Sequence, residues 1–325
     1  MTKTNIADDM GKIVCVVGPT ASGKSKLAVE IAKAFNGEVI SCDSMQLYKE
    51  MDIGTAKSTA KEMDGVPHHL LDIIDIGDEF SVSDYVNVAR KTAVDVNTRG
   101  KLPVFCGGTG LYIDSLTSGM EFGEYGSLPE YRKELEDFAE VNGFMKLHDM
   151  LKVCDPDAAE KVMPENVKRV IRALEVFKAT GEPISVWNKR ALENAKPADA
   201  LYIGITFNDR QKLYDRIDKR VDIMVELGIV EETKKLIGMG LRNSKTAGQA
   251  IGYKEFYPYI DGEASLDECI ERLKINSRHY AKRQLTWFNR NKNVKWVYAD
   301  CNESCSYVET ALNYCRTFLE ERMGE

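Results

Sequence analysis

The chain has 325 residues, of which 43% are hydrophobic and 29% are charged, the composition of an ordinary globular protein with one large domain or two. No apolar run approaches the ~20 residues of a membrane span, and the first ten residues lack the apolar segment of a secretory signal. The net charge of −7 argues weakly against a nucleic-acid partner. Together with eight cysteines, mostly within apolar patterns, these features predict a cytoplasmic protein that does not associate with membranes.

A β-branched apolar run at residues 13–17 leads into a glycine-rich loop, GPTASGKS, and an apolar helical pattern follows at once. The loop fits G-x-x-x-x-G-K-[ST], in which backbone N–H groups and a helix N-terminus surround an anion. Lys24 supplies a charge for phosphoryl oxygens and Ser25 a hydroxyl for Mg²⁺. The pattern predicts a diphosphate site without specifying ATP, and it disfavours the alternative, a glycine turn with a surface lysine. The predicted loop consists of Gly18, Pro19, Thr20, Ala21, Ser22, Gly23, Lys24 and Ser25.

A second apolar run, at residues 39–42, ends in Asp43, Ser44, Met45 and Gln46. In an open parallel sheet the carboxyl ends of the strands share one edge, where ligands bind. Asp43 is therefore expected on the edge that carries the phosphate loop. A helix N-cap is the alternative interpretation of this aspartate, and the two roles are compatible.

Residues 52–72 are predicted to be a long loop with one short helix, in which Lys57 approaches the same sheet edge. The adjacent His68 and His69 point different ways in an extended chain, so we interpret them as loop structure rather than metal ligands, with contact to a bound ligand as the alternative. Ser83 is the predicted N-cap of the helix that follows.

The next strand, at residues 102–106, ends in GGTG and brings Thr109 to the same edge. No aspartate follows this strand, which counts against plain nucleotide hydrolysis.

Residues 119–199 are polar and helical, with no strand pattern, and are predicted to form an insertion within a sheet domain made of residues 1–118 and 200–325. Arg132 lies in the first turn of one predicted helix. Lys168, Arg169 and Arg172 are spaced to share one side of another. On spacing alone, a solvated face and a functional face are equally good interpretations of these three bases.

The strand pattern returns at residues 201–206, and the long helix after it carries Arg216 and Arg220 one turn apart. Either arginine could close on a diphosphate, and the sequence does not choose between them. From 272 to 295 there are eight basic residues and no acidic one, among them Lys282 and Arg283. This segment favours a local RNA-binding surface on an acidic protein, with a solvated helix face as the alternative.

Eight motifs, in order along nearly the whole chain, resemble the tRNA dimethylallyltransferase family. They are GPTASGKS at 18–25, DSMQLY at 43–48, GTAK at 54–57, GVPHHLLD at 65–72, GGTGLY at 107–112, RVIRALEVF at 169–177, GQAIGY at 248–253 and KRQLTWF at 282–288. The resemblance implies a P-loop nucleoside-triphosphatase-like α/β core, a parallel sheet flanked by helices, with an all-helical insertion that embraces the anticodon stem-loop. It implies transfer of a dimethylallyl group from its diphosphate to the exocyclic amine of the adenosine just 3′ of the anticodon, with Mg²⁺ as cofactor. A monomer is expected.

The family's roles carry over by position. The resemblance makes Asp43 the general base and the loop 18–25 the prenyl-diphosphate site. The chemistry of a departing diphosphate also calls for an arginine, for which Arg220 and Arg216 are the candidates. The segment that begins at Lys168 usually begins with glutamine, so one tRNA contact differs here. The predicted catalytic residues are Asp43, Lys24, Thr109 and Arg220, with Arg216 at the diphosphate and Ser25 at the metal. The predicted tRNA contacts are Asp43, Ser44, Met45, Gln46, Thr109, Arg132, Lys168, Arg169, Arg172, Lys282 and Arg283.

Three other functions fit parts of this pattern. A small-molecule kinase or NTPase would use the phosphate loop, but the missing acid after the strand at 102–106 counts against it. An isopentenyltransferase for free adenine nucleotides would need neither the insertion nor the basic segment. A pure RNA-binding module would not need Lys24 beside Asp43.

Overall fold

The computed structural model describes residues 10–120, 128–301 and 306–321. Its sheet has six strands, all paired in parallel, in the order β3-β2-β4-β1-β5-β6. The strands are β1 Ile13–Val17, β2 Gly37–Ser41, β3 His68–His69, β4 Leu102–Gly107, β5 Ala200–Thr206 and β6 Lys295–Tyr298.

Both faces of the sheet are buried, which explains why the strands appear in the sequence as continuous apolar runs. Alternate residues of β1 enter two separate hydrophobic clusters, with Ile13 and Cys15 in one and Val14 and Val16 in the other. This arrangement confirms the predicted α/β class with a parallel sheet flanked by helices.

The first helices alternate with the strands. They are α1 Lys24–Ala34, α2 Ala60–Met63, α3 Val82–Thr98 and α4 Gly110–Thr117. Helices α3 and α4 pack on the cluster that contains Ile13, and α1 packs on the cluster that contains Val14.

The chain separates into two compact units, one drawn from residues 1–118 and 197–325 and the other from residues 119–196. The described part of the second unit is helical, with α5 Pro129–Asn142, α6 Phe144–Cys154, α7 Pro156–Ala159, α8 Val167–Thr180 and α9 Ile184–Glu193. It has a hydrophobic cluster of its own, centred on Leu147, Leu151 and Val170.

The first unit resumes with β5 and is completed by helices and the last strand. The helices are α10 Arg210–Glu226, α11 Ile229–Gly238, α12 Tyr257–Ile260, α13 Leu266–Phe288 and α14 Tyr307–Glu320. Helices α10 and α13 pack against each other through Leu213, Ile217 and Ala281. Within the described residues, no helix is both long and apolar enough to cross a membrane.

Two local predictions were wrong. Helix α3 is capped by Ser81, whose side chain accepts the backbone N–H of Asp84 while the Asp84 carboxylate accepts that of Ser81. Ser83 lies inside the helix. His68 and His69 are not loop but the short strand β3, in register with Val39 and Ile40 of β2.

The edge strand β3 is fixed by a buried carboxylate. Glu38 of β2 is 3% exposed and accepts Arg99 through both oxygens, at 2.5 and 2.7 Å, while His69 Nε2 lies 2.6 Å from Glu38 Oε2. The hydrogen bonds from Arg99 are the main reason that the pKa of Glu38 falls to about 2. The contact between His69 and Glu38 therefore ties the GVPHHLLD segment to β2.

Candidate active site

The phosphate loop joins β1 to α1, and its backbone conformation needs glycine. Gly18 has a φ of 143°, and a Cβ there would lie 2.4 Å from the carbonyl oxygen of Ile205 on β5. Gly23, in the left-handed region with a φ of 101°, is the N-cap of α1. The loop therefore passes close to β5 and presents the first amides of α1 to the space above the sheet.

Lys24 is held within this loop. Its Nζ donates a hydrogen bond to the carbonyl of Pro19 at 2.6 Å. The pKa of Lys24 falls to about 8, chiefly because of burial; the positive charge of Arg220 contributes to this shift, and Cys106 and Asp43 oppose it. An anion bound in the loop would compensate for this unfavourable charge.

Both predicted arginines of α10 reach the loop. Arg216 Nε donates to the carbonyl of Ala21 at 3.0 Å, and Arg220 Nη1 donates to Thr20 Oγ1 at 3.2 Å. Arg216 is exposed, whereas Arg220 is half-buried and burial lowers its pKa, an effect that Asp43 opposes. The position of Arg220 favours it for contact with a diphosphate, and that role stays a prediction.

Asp43 follows β2 at the same edge, as expected from a parallel sheet. Its Oδ1 accepts the backbone N–H of Met45 at 3.0 Å. The backbone N–H of Ser44 donates to Thr109 Oγ1 at 3.1 Å, and Gln46 Nε2 donates to the carbonyl of Thr55 at 3.2 Å. The structure thus brings together the predicted residues that follow β2 and β4.

Two adjoining cavities share Asp43, Thr20 and Arg220. The smaller, of about 70 Å³, contains the phosphate-loop side chains of Lys24 and Ser25. The larger, of about 330 Å³, runs between α10 and α13. Its apolar lining is Ile217, Val221, Met224, Ala250, Ile251 and Leu273, and its basic lining is Arg220, Lys254 and Arg283. The carboxylate therefore faces both a phosphate-binding corner and a mostly apolar pocket.

The sequence analysis missed residues of α13 that line the site. Gln284, 4% exposed, accepts the backbone N–H of Thr20 at 2.8 Å and donates to the carbonyl of Gly108 at 3.0 Å. Tyr280 lines both cavities and lies beside Thr109. A glutamine one turn from the inward-facing Tyr280 and Phe288 was the available signal, because polar side chains rarely occupy such positions without partners.

Glu232 of α11 was also missed. Its carboxylate accepts the backbone N–H groups of Ile53 and Gly54 and the hydroxyl of Tyr253 at 2.7 Å. These bonds shape the GTAK loop from a position about 180 residues away along the chain. No local pattern in the sequence points to this role.

Of the residues predicted in the loop 52–72, His68 lines the smaller cavity, whereas Lys57 does not. Lys57 pairs with Asp52 at 2.6 Å and Asp72 at 2.5 Å, so its charge is used inside its own loop. His68 lines the smaller cavity, and its buried Nε2 has no hydrogen-bond partner among the described residues. Burial lowers the pKa of His68, which favours the neutral ring.

The basic segment 272–295 is partly neutralised. Lys274 pairs with Asp222 of α10 at 2.8 Å, and Arg278 pairs with Asp218 at 2.6 Å. Arg283 is exposed, stacks over Tyr280 and lines the larger cavity. Part of the positive charge of this segment is therefore paired with acids of α10, and its role in RNA binding stays a prediction.

In the second unit, Arg132 and Arg172 both bind the carboxylate of Glu175, at 2.8 and 2.7 Å. Glu175 is fully buried; burial alone would raise its pKa, but hydrogen bonds led by that from Arg132 lower it on balance. Lys168 and Arg169 are exposed. Two of the arginines predicted to bind tRNA thus also stabilise the helical unit through Glu175.

The chain resembles known proteins over most of its length. A family model described as IPP transferase matches residues 46–291. A tRNA dimethylallyltransferase from Thermoanaerobacter pseudethanolicus is 49% identical over 290 residues, which cover 89% of this chain and 92% of that protein. Another, from Halalkalibacterium halodurans, is 50% identical over 285 residues, or 88% and 90% of the two chains.

Solved structures agree with this relationship. The full-length tRNA isopentenylpyrophosphate transferase from Bacillus halodurans has a TM-score of 0.71 at 47% identity, covering 96% of this chain and 98% of that one. A eukaryotic dimethylallyltransferase acting on tRNA has a TM-score of 0.80 at 30% identity, covering 96% and 80%. These likenesses also confirm the P-loop-like character of the core. On the matched length and identity, this chain belongs to the IPP transferase family.

Proposed function

We propose that the chain transfers the dimethylallyl group of dimethylallyl diphosphate to the N6 amine of the tRNA adenosine 3′-adjacent to the anticodon. Its relatives are tRNA dimethylallyltransferases, and a structural neighbour acts on tRNA. The observation that carries the proposal for this chain is that Asp43, Thr20 and Arg220 line both of the adjoining cavities. A carboxylate base there faces a phosphate cradle.

The nucleophile needs help because the lone pair of an exocyclic adenine amine is delocalised into the ring. Asp43 accepts the N6 proton as the N6–C1 bond forms and the C1–O bond of the donor breaks. General-base assistance of this kind is worth ~10²–10⁴-fold in rate. The Met45 N–H bond to Oδ1 orients the carboxylate for this task.

The leaving diphosphate gains charge as the C1–O bond breaks. Loop amides, Lys24 and Arg220 supply fixed positive charge where it develops. Because the diphosphate leaves intact, no phosphoryl transfer occurs, and the site reuses a nucleotide-type loop for alkyl transfer.

Mg²⁺ fits this site through Ser25. No group of three or more His, Cys, Asp or Glu side chains within the described residues could hold a metal by itself. Ser25 is exposed at the start of α1 and lines the cavity beside Lys24. One hydroxyl together with substrate phosphates and water is a common magnesium environment. The ion would neutralise diphosphate charge.

The acceptor adenosine has to leave its stack to react, as base-modifying enzymes require. The larger cavity, with Arg283 at its lining, is our candidate for the flipped nucleotide. Residues 119–199 are proposed to contact the anticodon stem-loop through Arg132, Lys168, Arg169 and Arg172. We also propose a monomer in the cytoplasm, where the described cysteines, all free thiols, would remain reduced.

The decisive experiment follows label from dimethylallyl diphosphate into unmodified tRNA. Free adenosine monophosphate and ATP turnover are assayed in parallel. Label in tRNA, mapped to the adenosine beside the anticodon, supports the proposal. Label in the free nucleotide, or ATP loss without prenyl transfer, contradicts it.

A further inference from the structure

Gln284 joins two loops of the site through one carboxamide. Its Oε1 accepts the N–H of Thr20 in the phosphate loop at 2.8 Å, and its Nε2 donates to the carbonyl of Gly108 at 3.0 Å. The side chain is 4% exposed and lines the smaller cavity. The carboxamide supplies an acceptor on one side and a donor on the other.

The surroundings are built around this side chain. A Cβ at position 108 would lie 2.0 Å from Gln284 Nε2, so the glycine leaves the space that the amide occupies. Tyr280, one turn earlier on α13, lies beside Thr109 and Gln284, whose side chains oppose the rise that burial causes in its pKa. The loops after β1 and β4 are therefore connected through a polar network on α13.

The contact with Thr20 has a second effect. Its N–H is directed to Gln284, while its hydroxyl accepts Arg220 Nη1 at 3.2 Å. The N–H of Thr20 is thus unavailable to a phosphate, and the N–H of Ser22 already donates to the carbonyl of Pro19 at 3.4 Å. The other amides at the start of α1 are the candidates for the phosphate cradle. Because the Thr20 hydroxyl also holds Arg220, the orientation of Thr20 affects both the phosphate loop and this arginine.

We propose that Gln284 is a positioning residue for the prenyl diphosphate: it fixes Thr20, and through it Arg220. This inference rests on the proposed function, because it assumes that the donor diphosphate occupies the loop. We expect Gln284 to affect binding of the donor but not of tRNA, because its carboxamide faces the phosphate loop and not the exposed surface of α13.

Two variants test this role. Gln284→Leu leaves the Thr20 N–H and the Gly108 carbonyl unpaired, so the KM for dimethylallyl diphosphate and the Kd for inorganic diphosphate should rise at least about tenfold. The Kd for tRNA should stay within about twofold, because the exposed bases of α13 are unchanged. The same substitution at the exposed Gln211 of α10 is the matched control and should change neither constant.

Gln284→Glu gives a readout that a merely structural role would not produce. An ionised carboxylate repels the Gly108 carbonyl and the diphosphate, whereas a protonated one restores a donor. Burial favours the protonated form, so the ratio of variant to wild-type diphosphate affinity should recover as the pH falls from 8 to 6. Using the ratio cancels the ionisation of the ligand and of Lys24.

The outcomes separate the two hypotheses. If the wild type transfers no label to tRNA, the proposed function fails. If the wild type is active and both Gln284 variants bind inorganic diphosphate like the wild type, the inference fails. It also fails if donor and tRNA affinities fall together with the Tm, or if the Gln284→Glu ratio does not change with pH.

Discussion

Lys24 carries a charge in surroundings that disfavour it, and this predicts how donor binding depends on pH. Burial holds its pKa at about 8 in the free protein. A bound diphosphate stabilises the ammonium, so the pKa is higher in the complex. Affinity for inorganic diphosphate should therefore be full below pH 8 and fall as the pH rises above it. Calorimetric titration from pH 7 to 9.5 measures this.

Lys24→Arg is the comparison for that titration, because guanidinium stays charged throughout this range. The variant-to-wild-type affinity ratio should increase above pH 8, as the wild-type lysine loses its proton. A ratio that is constant across the range would mean that Lys24 does not titrate near the ligand.

Asp43→Asn should lower the rate of transfer by ~10²–10⁴-fold while leaving tRNA binding largely intact. The amide oxygen can still accept the Met45 N–H, so the local backbone should not change. Single-turnover transfer and tRNA affinity are measured on the same preparation. Asp149→Asn, at an exposed position of α6, is the control. A wild-type rate in the Asp43 variant would remove this residue as the base.

These residues differ in how far the sequence could predict them. The phosphate loop and Asp43 follow from local order: an apolar strand, then a polar turn at a shared sheet edge. Gln284 and Glu232 act on backbone groups 264 and about 178 positions away. Their partners become neighbours only through the packing of α11 and α13, which no local pattern encodes.

At the scale of elements, α10 presents its arginines to the phosphate loop and its acids to α13. Asp218 lies between Arg216 and Arg220 and binds Arg278 through both oxygens, at 2.7 and 2.6 Å. Asp222 binds Lys274 one turn later at 2.8 Å. The sequence of α13 does not reveal this pairing, because its acidic partners lie on another helix.

This pairing predicts a reciprocal charge effect on donor binding. Asp218→Arg or Arg278→Asp should each raise the KM for dimethylallyl diphosphate a few-fold, because α10 is no longer held against α13. The double exchange should recover part of the loss, with a coupling energy of about 1 kcal/mol for a partly exposed pair. Steady-state kinetics of the three variants measures it, and simple additivity would show that the pair does not position α10.

At the scale of the whole molecule, the fold was predictable because its strands are buried on both faces. Strands β1 and β4 appear as continuous apolar runs, β2 contains the shorter apolar pair Val39 and Ile40, and turn residues follow each at one edge. The two-residue strand β3 was not predictable, because two histidines have no strand signature. Its place is set by Glu38 and the backbone of β2 rather than by its own sequence.

The molecule is acidic overall, so tRNA has to be attracted by local bases. Lys282 and Arg283 are exposed on α13 and have no ion-pair partner among the described residues, unlike Lys274 and Arg278. Reversing both charges, as Lys282→Glu with Arg283→Glu, should weaken tRNA binding. It should also reduce the slope of log affinity against log salt by roughly 1 to 2, the loss of about two phosphate contacts.

The control reverses two exposed lysines elsewhere in the same unit, Lys91 on α3 and Lys234 on α11, and so changes the net charge equally. Its salt slope should match the wild type, because slope counts phosphate contacts and not overall charge. Filter-binding titrations between 50 and 200 mM salt would give all three slopes. An unchanged slope in the Lys282/Arg283 variant would place the RNA on another surface. If both variants lost the same amount of slope, the change in net charge alone would explain the effect.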